Sequence, residues 1–148
     1  MKAITLWEPW ASAMRDGLKT IETRSWPTNY RGDLVICAAK KPLDPFRLRL
    51  AREHRINITG EEFGCALCVV SLYDCVPTHD SGWQSDMFPS KQDRMLGDYS
   101  ERRFAWLTHN LRLIDPVPVK GQQGLFNLPE TQAEEIRRQL CNHEKTNR

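Results

Sequence analysis

Eight consecutive residues, Gly17-Leu18-Lys19-Thr20-Ile21-Glu22-Thr23-Arg24, gather an amine, a carboxylate and a guanidinium behind a glycine. These residue types suit two chemistries. Lysine and arginine meet phosphates, while a glutamate accepts hydrogen bonds from a base amine. A lysine beside a carboxylate can also move protons or attack as a nucleophile if its pKa is depressed. The neighbours pull that pKa both ways, because Glu22 would raise it while Arg24 and burial would lower it. The same trio would equally serve as a solvated charge ladder on a sheet face. Spacing alone leaves these readings open.

The elements that must hold the trio can be read locally. Pro9 to Arg15 has a proline suited to a helix start and places Trp10, Ala13 and Met14 at helical spacing. Gly17 then falls where a left-handed C-terminal cap belongs, a backbone conformation that glycine takes without a Cβ clash. Thr20 to Trp26 reads as a strand, so Thr20, Glu22 and Arg24 share one face and Ile21 and Thr23 the other. Lys19 stands at the mouth of that strand. Trp7 and Trp10 flank Pro9; Trp10 lies on the apolar side of the helix, and Trp7 is either core or a platform on which a base could stack.

Composition narrows the classes. With 148 residues the chain is long enough for a single domain with its own core, and a net charge of +2 leaves nucleic-acid contact to local patches. Five cysteines, an odd number, and no hydrophobic leader point to a reducing, cytoplasmic setting. No apolar run approaches the ~18 residues of a membrane span, so no membrane association is expected.

Further along, Lys2 to Leu6 and Leu34 to Ala39 read as strands, the second apolar throughout and therefore buried. Pro45 to His54 reads as a helix whose Arg47, Arg49 and Arg52, with Arg55 beyond it, point around the axis, which suits a solvated helix. Phe63 to Val76 is the longest apolar stretch and reads as the central strand. Its Cys65-Ala66-Leu67-Cys68 has metal-knuckle spacing, but on a strand i and i+3 face opposite ways, so core thiols are expected and no metal. Residues 77–101 lack any period and read as a lid-like loop that brings a short helix over the pocket; His79 there is an acid or base by type alone. Arg103 to Ile114 returns to strand, with Phe104, Trp106, Leu111 and Leu113 inward. Pro116 to Gly121 turns the chain, 125–128 closes it, and Pro129 to Leu140 is a terminal helix followed by a frayed tail over 141–148.

The motif Gly-x-Lys-x-x-Glu-x-Arg, preceded by Leu6-Trp7-Glu8-Pro9-Trp10-Ala11, resembles the signature of the ASCH domain, a branch of the PUA-like superfamily. Further echoes follow in order: Trp26-Pro27 with Tyr30-Arg31-Gly32, Ala38-Ala39-Lys40-Lys41, Phe63-Gly64-Cys65-Ala66, Phe104-Ala105-Trp106, Pro116 to Gly121 and Gly124-Leu125-Phe126. The resemblance covers about residues 2 to 128. It implies an α+β fold, a mixed PUA-like β-barrel of five or six strands with two or three peripheral helices. It also implies RNA or modified-nucleotide binding, with Lys19, Glu22, Arg24, Trp7, Lys40 and Lys120 as the ligand-binding set. Lys40 enters because the third strand's end opens on the cleft in such domains, and Lys120 because the Pro-Lys-Gly turn lies near the pocket. A second expectation is a metal-independent, cofactor-free hydrolase, since some members release the acetyl group of N(4)-acetylcytidine and another is a ribonuclease. Lys19 and Glu22 would then be catalytic. This sequence departs from the amidohydrolase branch, which has threonine at the Glu22 position and a further downstream glutamate with no match here. A third expectation is a protein-interaction module, as ASCH domains also occur in transcription coactivators.

Overall fold

The computed structural model describes residues 1–79 and 89–147. Asp80, Ser81, Gly82, Trp83, Met87 and Phe88, part of the expected 77–101 loop, lie outside them. The element order is β1 (Lys2–Leu6), α1 (Trp10–Arg15), β2 (Ile21–Arg24), β3 (Gly32–Ala38), α2 (Pro45–Glu53), β4 (Cys65–Pro77), α3 (Lys91–Met95), β5 (Phe104–Pro118), β6 (Phe126–Asn127) and α4 (Glu130–Thr146).

The strands form one six-stranded mixed sheet in the order β2-β5-β4-β3-β1-β6. β1 and β3 are parallel, in register Ala3 with Val35 and Ile4 with Ile36; the other pairs are antiparallel. Alternation along β1 and β3 sends Ile4, Leu6, Leu34 and Ile36 to one face, where Ala11 and Met14 of α1 and the fully buried Trp106 complete a core. Ala3, Val35 and Cys37 go to the other face, beneath Ala133 and Ile136 of α4. Covering both faces is why Leu34 to Ala38 is apolar without alternation.

The expected barrel is not formed. β2 and β6 are the two outer strands, and no pairing between them closes the sheet among the described residues. Both are short, and the outward edge of β2 is already satisfied by side chains. Asp93 accepts from the Thr20 and Ile21 N–H groups, and Arg103 donates to the Thr23 carbonyl. The helices number four in the described residues.

Four local expectations also need correction. Cys65 and Cys68 pack into the same core face, because a register shift between Ala66 and Cys68 cancels the alternation. Leu111 and Leu113 point outward and are exposed, since β5 is shifted again around Asn110, a non-glycine residue at φ 54°. Pro116 and Pro118 extend β5 rather than turning the chain, and α4 runs past Leu140 to Thr146.

Candidate functional site

The site begins with the end of α1. Gly17 adopts φ 74°, its N–H donates to the Met14 carbonyl, and the Leu18 N–H reaches the Ala13 carbonyl. These two bonds are a Schellman cap, which turns the chain sharply and delivers Lys19 to the edge of β2. Lys19 is only 2% exposed. Its Nζ donates to the Ile21 carbonyl at 2.5 Å and the Leu96 carbonyl at 3.0 Å, and stands 3.6 Å from Glu22 Oε2. Two buried carbonyls therefore take two of the Nζ hydrogen bonds, and Glu22 pairs with the charge beyond hydrogen-bond distance.

Leu96 belongs to the segment around α3, which docks on β2 through a buried aspartate. Asp93 accepts from Thr20 N at 2.8 Å, Ile21 N at 3.2 Å and Thr20 Oγ1 at 2.8 Å, while its own N–H is capped by Ser90. Downstream, the Asp98 N–H donates to Thr23 Oγ1. This segment supplies Met95, Leu96, Gly97 and Asp98 to one wall of a cavity.

Glu22 and Arg24 face the same way along β2, as strand alternation requires. Glu22 Oε1 lies 3.5 Å from Arg24 Nε, so the carboxylate sits between Lys19 and Arg24. Arg24 is braced by one bond, from Nη2 to the Thr5 carbonyl. Among the described residues, Glu22 Oε2, Arg24 Nε, Thr5 Oγ1 and Arg103 Nε are buried and lack a hydrogen-bond partner.

Those four residues line a run of three adjoining cavities. The first, of about 320 Å³, lies among Lys19, Glu22, Trp10, Leu96, Asp98 and Arg103. The second, of about 290 Å³, shares Trp10, Glu22 and Arg103 and adds Thr5, Trp7 and Arg24. The third and widest, of about 700 Å³, shares Thr5, Trp7 and Arg24 and adds Trp26, Lys40 and Lys120. The structure thus brings Lys19 and Glu22 to one end, Lys40 and Lys120 to the other, and Arg24 and Trp7 between.

Trp7 is 48% exposed, and its ring already carries the Lys41 ammonium 3.6 Å from its centroid and Arg47 at 5.1 Å. Trp10, expected in the core, is partly buried and lines two of the cavities. His79 is exposed and lines none of the three cavities. Burial pushes the Cys37 and Cys68 thiols up to about 12, which keeps them as core groups rather than thiolates.

Several residues around the site were missed or misread from the sequence. Arg103 divides the first two cavities, with Nη2 on the Thr23 carbonyl and Nε 3.4 Å from Asp98. No local pattern separates it from neighbouring Arg102. Arg47 is not solvated: it is 2% exposed and donates to the carbonyls of Glu8 and Pro42 and to the Asp44 carboxylate. The one signal for it is Asp44, three residues upstream, which also caps α2. Glu8 is fully buried and caps α1, with Oε1 accepting from Ser12 N at 3.0 Å. Burial raises its pKa, and the Ser12 bonds and the charge of Arg15 pull it only partway back.

Fold and site together define an α+β protein with a charged cleft where a helix cap meets an edge strand. The chain belongs to the ASCH domain family, whose profile matches residues 4–118. It is similar to activating signal cointegrator 1 of Homo sapiens, 29% identical over 135 residues, and to the Mus musculus protein of that name, 28% over 134. Each match takes in 84% of this chain and 22% of the relative, so the chain spans about a fifth of those proteins' length. Among solved structures, the crystal structure of ASCH from Zymomonas mobilis shares the fold at TM-score 0.56 and 19% identity, over 93% of both chains. A single-residue variant of that protein gives 0.56 at 18%, over 93% of this chain and 96% of the other. No helix of the described residues is long and apolar enough to cross a membrane.

Proposed function

We propose that this ASCH domain binds RNA or a modified nucleotide in the cleft that runs from Lys19 and Glu22 past Arg24 to Lys40 and Lys120. One observation carries the reading. Buried polar atoms are nearly always hydrogen-bonded, yet Glu22 Oε2, Arg24 Nε, Thr5 Oγ1 and Arg103 Nε have no hydrogen-bond partner among the described residues, three of them meeting only ion-pair contacts at 3.4 to 3.6 Å, and all line this cleft. A ligand offering both donors and anionic acceptors supplies what they lack. An exocyclic base amine suits Glu22, and a phosphate or base carbonyl suits the guanidinium groups. Trp7 and Trp10 contribute aromatic wall, and the α3 segment acts as the lid. In this arrangement Lys19 positions Glu22 and the lid rather than touching the ligand.

The hydrolase alternative, with Lys19 and Glu22 catalytic, needs an amine free to attack or take a proton. Here Nζ already donates to two buried carbonyls and stands 3.6 Å from Glu22, so it is held in place rather than left free.

The test is calorimetric titration with cytidine, adenosine, uridine and short single-stranded RNA, on the wild type and Glu22→Gln. Losing a hydrogen bond to a charged acceptor weakens binding of the amine-bearing bases by about tenfold or more and leaves uridine unchanged. Equal affinities in the two proteins would remove Glu22 from recognition and the proposal with it.

A further inference from the structure

The two ends of the cleft differ in charge. The chamber beside α3 holds Lys19 and Arg103 against Glu22 and Asp98, so its charges balance, and its remaining walls are largely apolar. The wide vestibule holds Arg24, Lys40 and Lys120 with no carboxylate among the described residues. A neutral nucleoside needs only the chamber. An all-cationic vestibule, lined also by the indoles of Trp7 and Trp26, has the composition of a groove that tracks a sugar–phosphate chain.

The vestibule is also built with close tolerances. Gly64 has φ 73°, and a Cβ there would lie 2.9 Å from both Cγ and Cε of Lys40. The lysine stem therefore lies directly across the glycine, which leads its head along the wall. Opposite, Gly121 follows Lys120, and a Cβ on it would come within 3.0 Å of Thr5 Cγ2. The turn carrying Lys120 is thus packed against β1 beside the unpartnered Thr5 Oγ1. Trp26 is fixed by Trp106, whose Nε1 donates to its carbonyl and whose ring meets it edge-on at 4.8 Å. Arg24 lines both the middle cavity and the vestibule and so spans the junction.

We infer that the vestibule is a second nucleotide subsite and that the ligand is a single-stranded phosphodiester chain of at least two nucleotides. One base occupies the Glu22 chamber, the linking phosphate lies at Arg24, and the next nucleotide fills the vestibule with its phosphate between Lys40 and Lys120. This rests on the cleft reading above and specifies its ligand as a strand rather than a free nucleoside.

The experiment compares cytidine, its 5′ and 3′ monophosphates, and ribo-oligonucleotides of two to four residues, on the wild type and the Lys40→Ala/Lys120→Ala double variant. Deoxyribo-oligonucleotides in a parallel arm separate RNA from DNA as the source of the strand. Both lysines are exposed, so an unchanged thermal melt checks that the variant is folded. In the wild type a dinucleotide with a terminal phosphate binds at least about tenfold more tightly than the nucleoside, and the double variant loses that gain. The salt slope for the oligonucleotide falls by about 0.7, the value for the one single-strand phosphate that the two lysines no longer neutralise. Nucleoside and oligonucleotide binding equally would overturn the second subsite and leave the cleft reading standing. An oligonucleotide gain untouched by the double variant would do the same. Binding of neither would sink both.

Discussion

Replacing Lys19 with methionine separates an architectural lysine from a chemical one. Methionine keeps most of the stem and removes the ammonium. Two buried carbonyls, of Ile21 and Leu96, then lose the donor they share, and Glu22 loses one of its two cations. Stranding a buried acceptor costs about 1–3 kcal/mol, so the two carbonyls together lose about 3 kcal/mol after partial relaxation. Glu22 adds little, because it keeps Arg24 at 3.5 Å and retains some solvent access. Against a net stability of about 5–15 kcal/mol for a domain, that loss is large, and it lowers the melting temperature by about 6–12 °C for a chain of this length. Urea unfolding followed by tryptophan fluorescence reads it directly, since Trp106 lies in the core. Hydrogen exchange should also quicken at residues 93–98, the segment that Lys19 ties to β2. Lys120→Met, at an exposed lysine, should stay within about 0.5 kcal/mol of the wild type. An unchanged urea midpoint in Lys19→Met would refute the reasoning and return Lys19 to the candidates for catalysis.

Arg47→Met should destabilise by about 2–4 kcal/mol, since it strands the Glu8 and Pro42 carbonyls and removes the Nε bond to Asp44 while leaving the backbone cap bond, whereas Arg49→Ala should cost less than about 0.5 kcal/mol; chemical denaturation of the pair checks the contrast. Glu8→Gln should match the wild type at pH 4 and gain on it toward pH 8 in thermal melts. The folded-state pKa of Glu8 is raised, so its stabilising contribution is complete below the ordinary glutamate value and is lost as pH rises through the folded value; the amide carries no such loss. Gly64→Ala should cost about 1–2 kcal/mol for its left-handed backbone and should also weaken oligonucleotide binding, because the new Cβ displaces the Lys40 stem. Melts and titrations on the same sample read both effects.

Much of the sheet was legible because both of its faces are covered. Leu34 to Ala38 and the long run from Cys65 carry enough consecutive apolar residues to be read as buried strands, and β4 does lie between β3 and β5 near the middle of the sheet. The Gly17 cap was legible for a similar reason, since its geometry is set within six residues. Expectations failed where period 2 is interrupted. The shifts beside Ala66 and around Asn110 each move a residue to the opposite face, which is why Cys65 joined Cys68 and Leu113 turned outward. Closure failed for a different reason. Whether a sheet closes depends on what satisfies its edge strands, and the edge of β2 is satisfied by Asp93 and Arg103 from a stretch with no hydrophobic period.

That stretch also supplies the groups that surround the motif in the fold. Lys19, Glu22 and Arg24 are neighbours in sequence, but the group that decides what Lys19 does is the Leu96 carbonyl, 77 residues away. The group that anchors the strand beneath it is Asp93, 73 residues from Thr20. Local spacing conveys that three charges converge; it does not say which of them is already spent. With two N–H bonds committed to buried carbonyls, Lys19 links the first-cavity wall to β2, and the oxygen beside it without a hydrogen bond is on Glu22. A lysine in that position makes the cleft conditional on α3 being docked, because undocking removes the Leu96 carbonyl and the Met95-to-Asp98 wall together. On the proposed reading the chemistry of the motif lies with its glutamate and arginine, and its lysine joins the α3 segment to the strand that carries them.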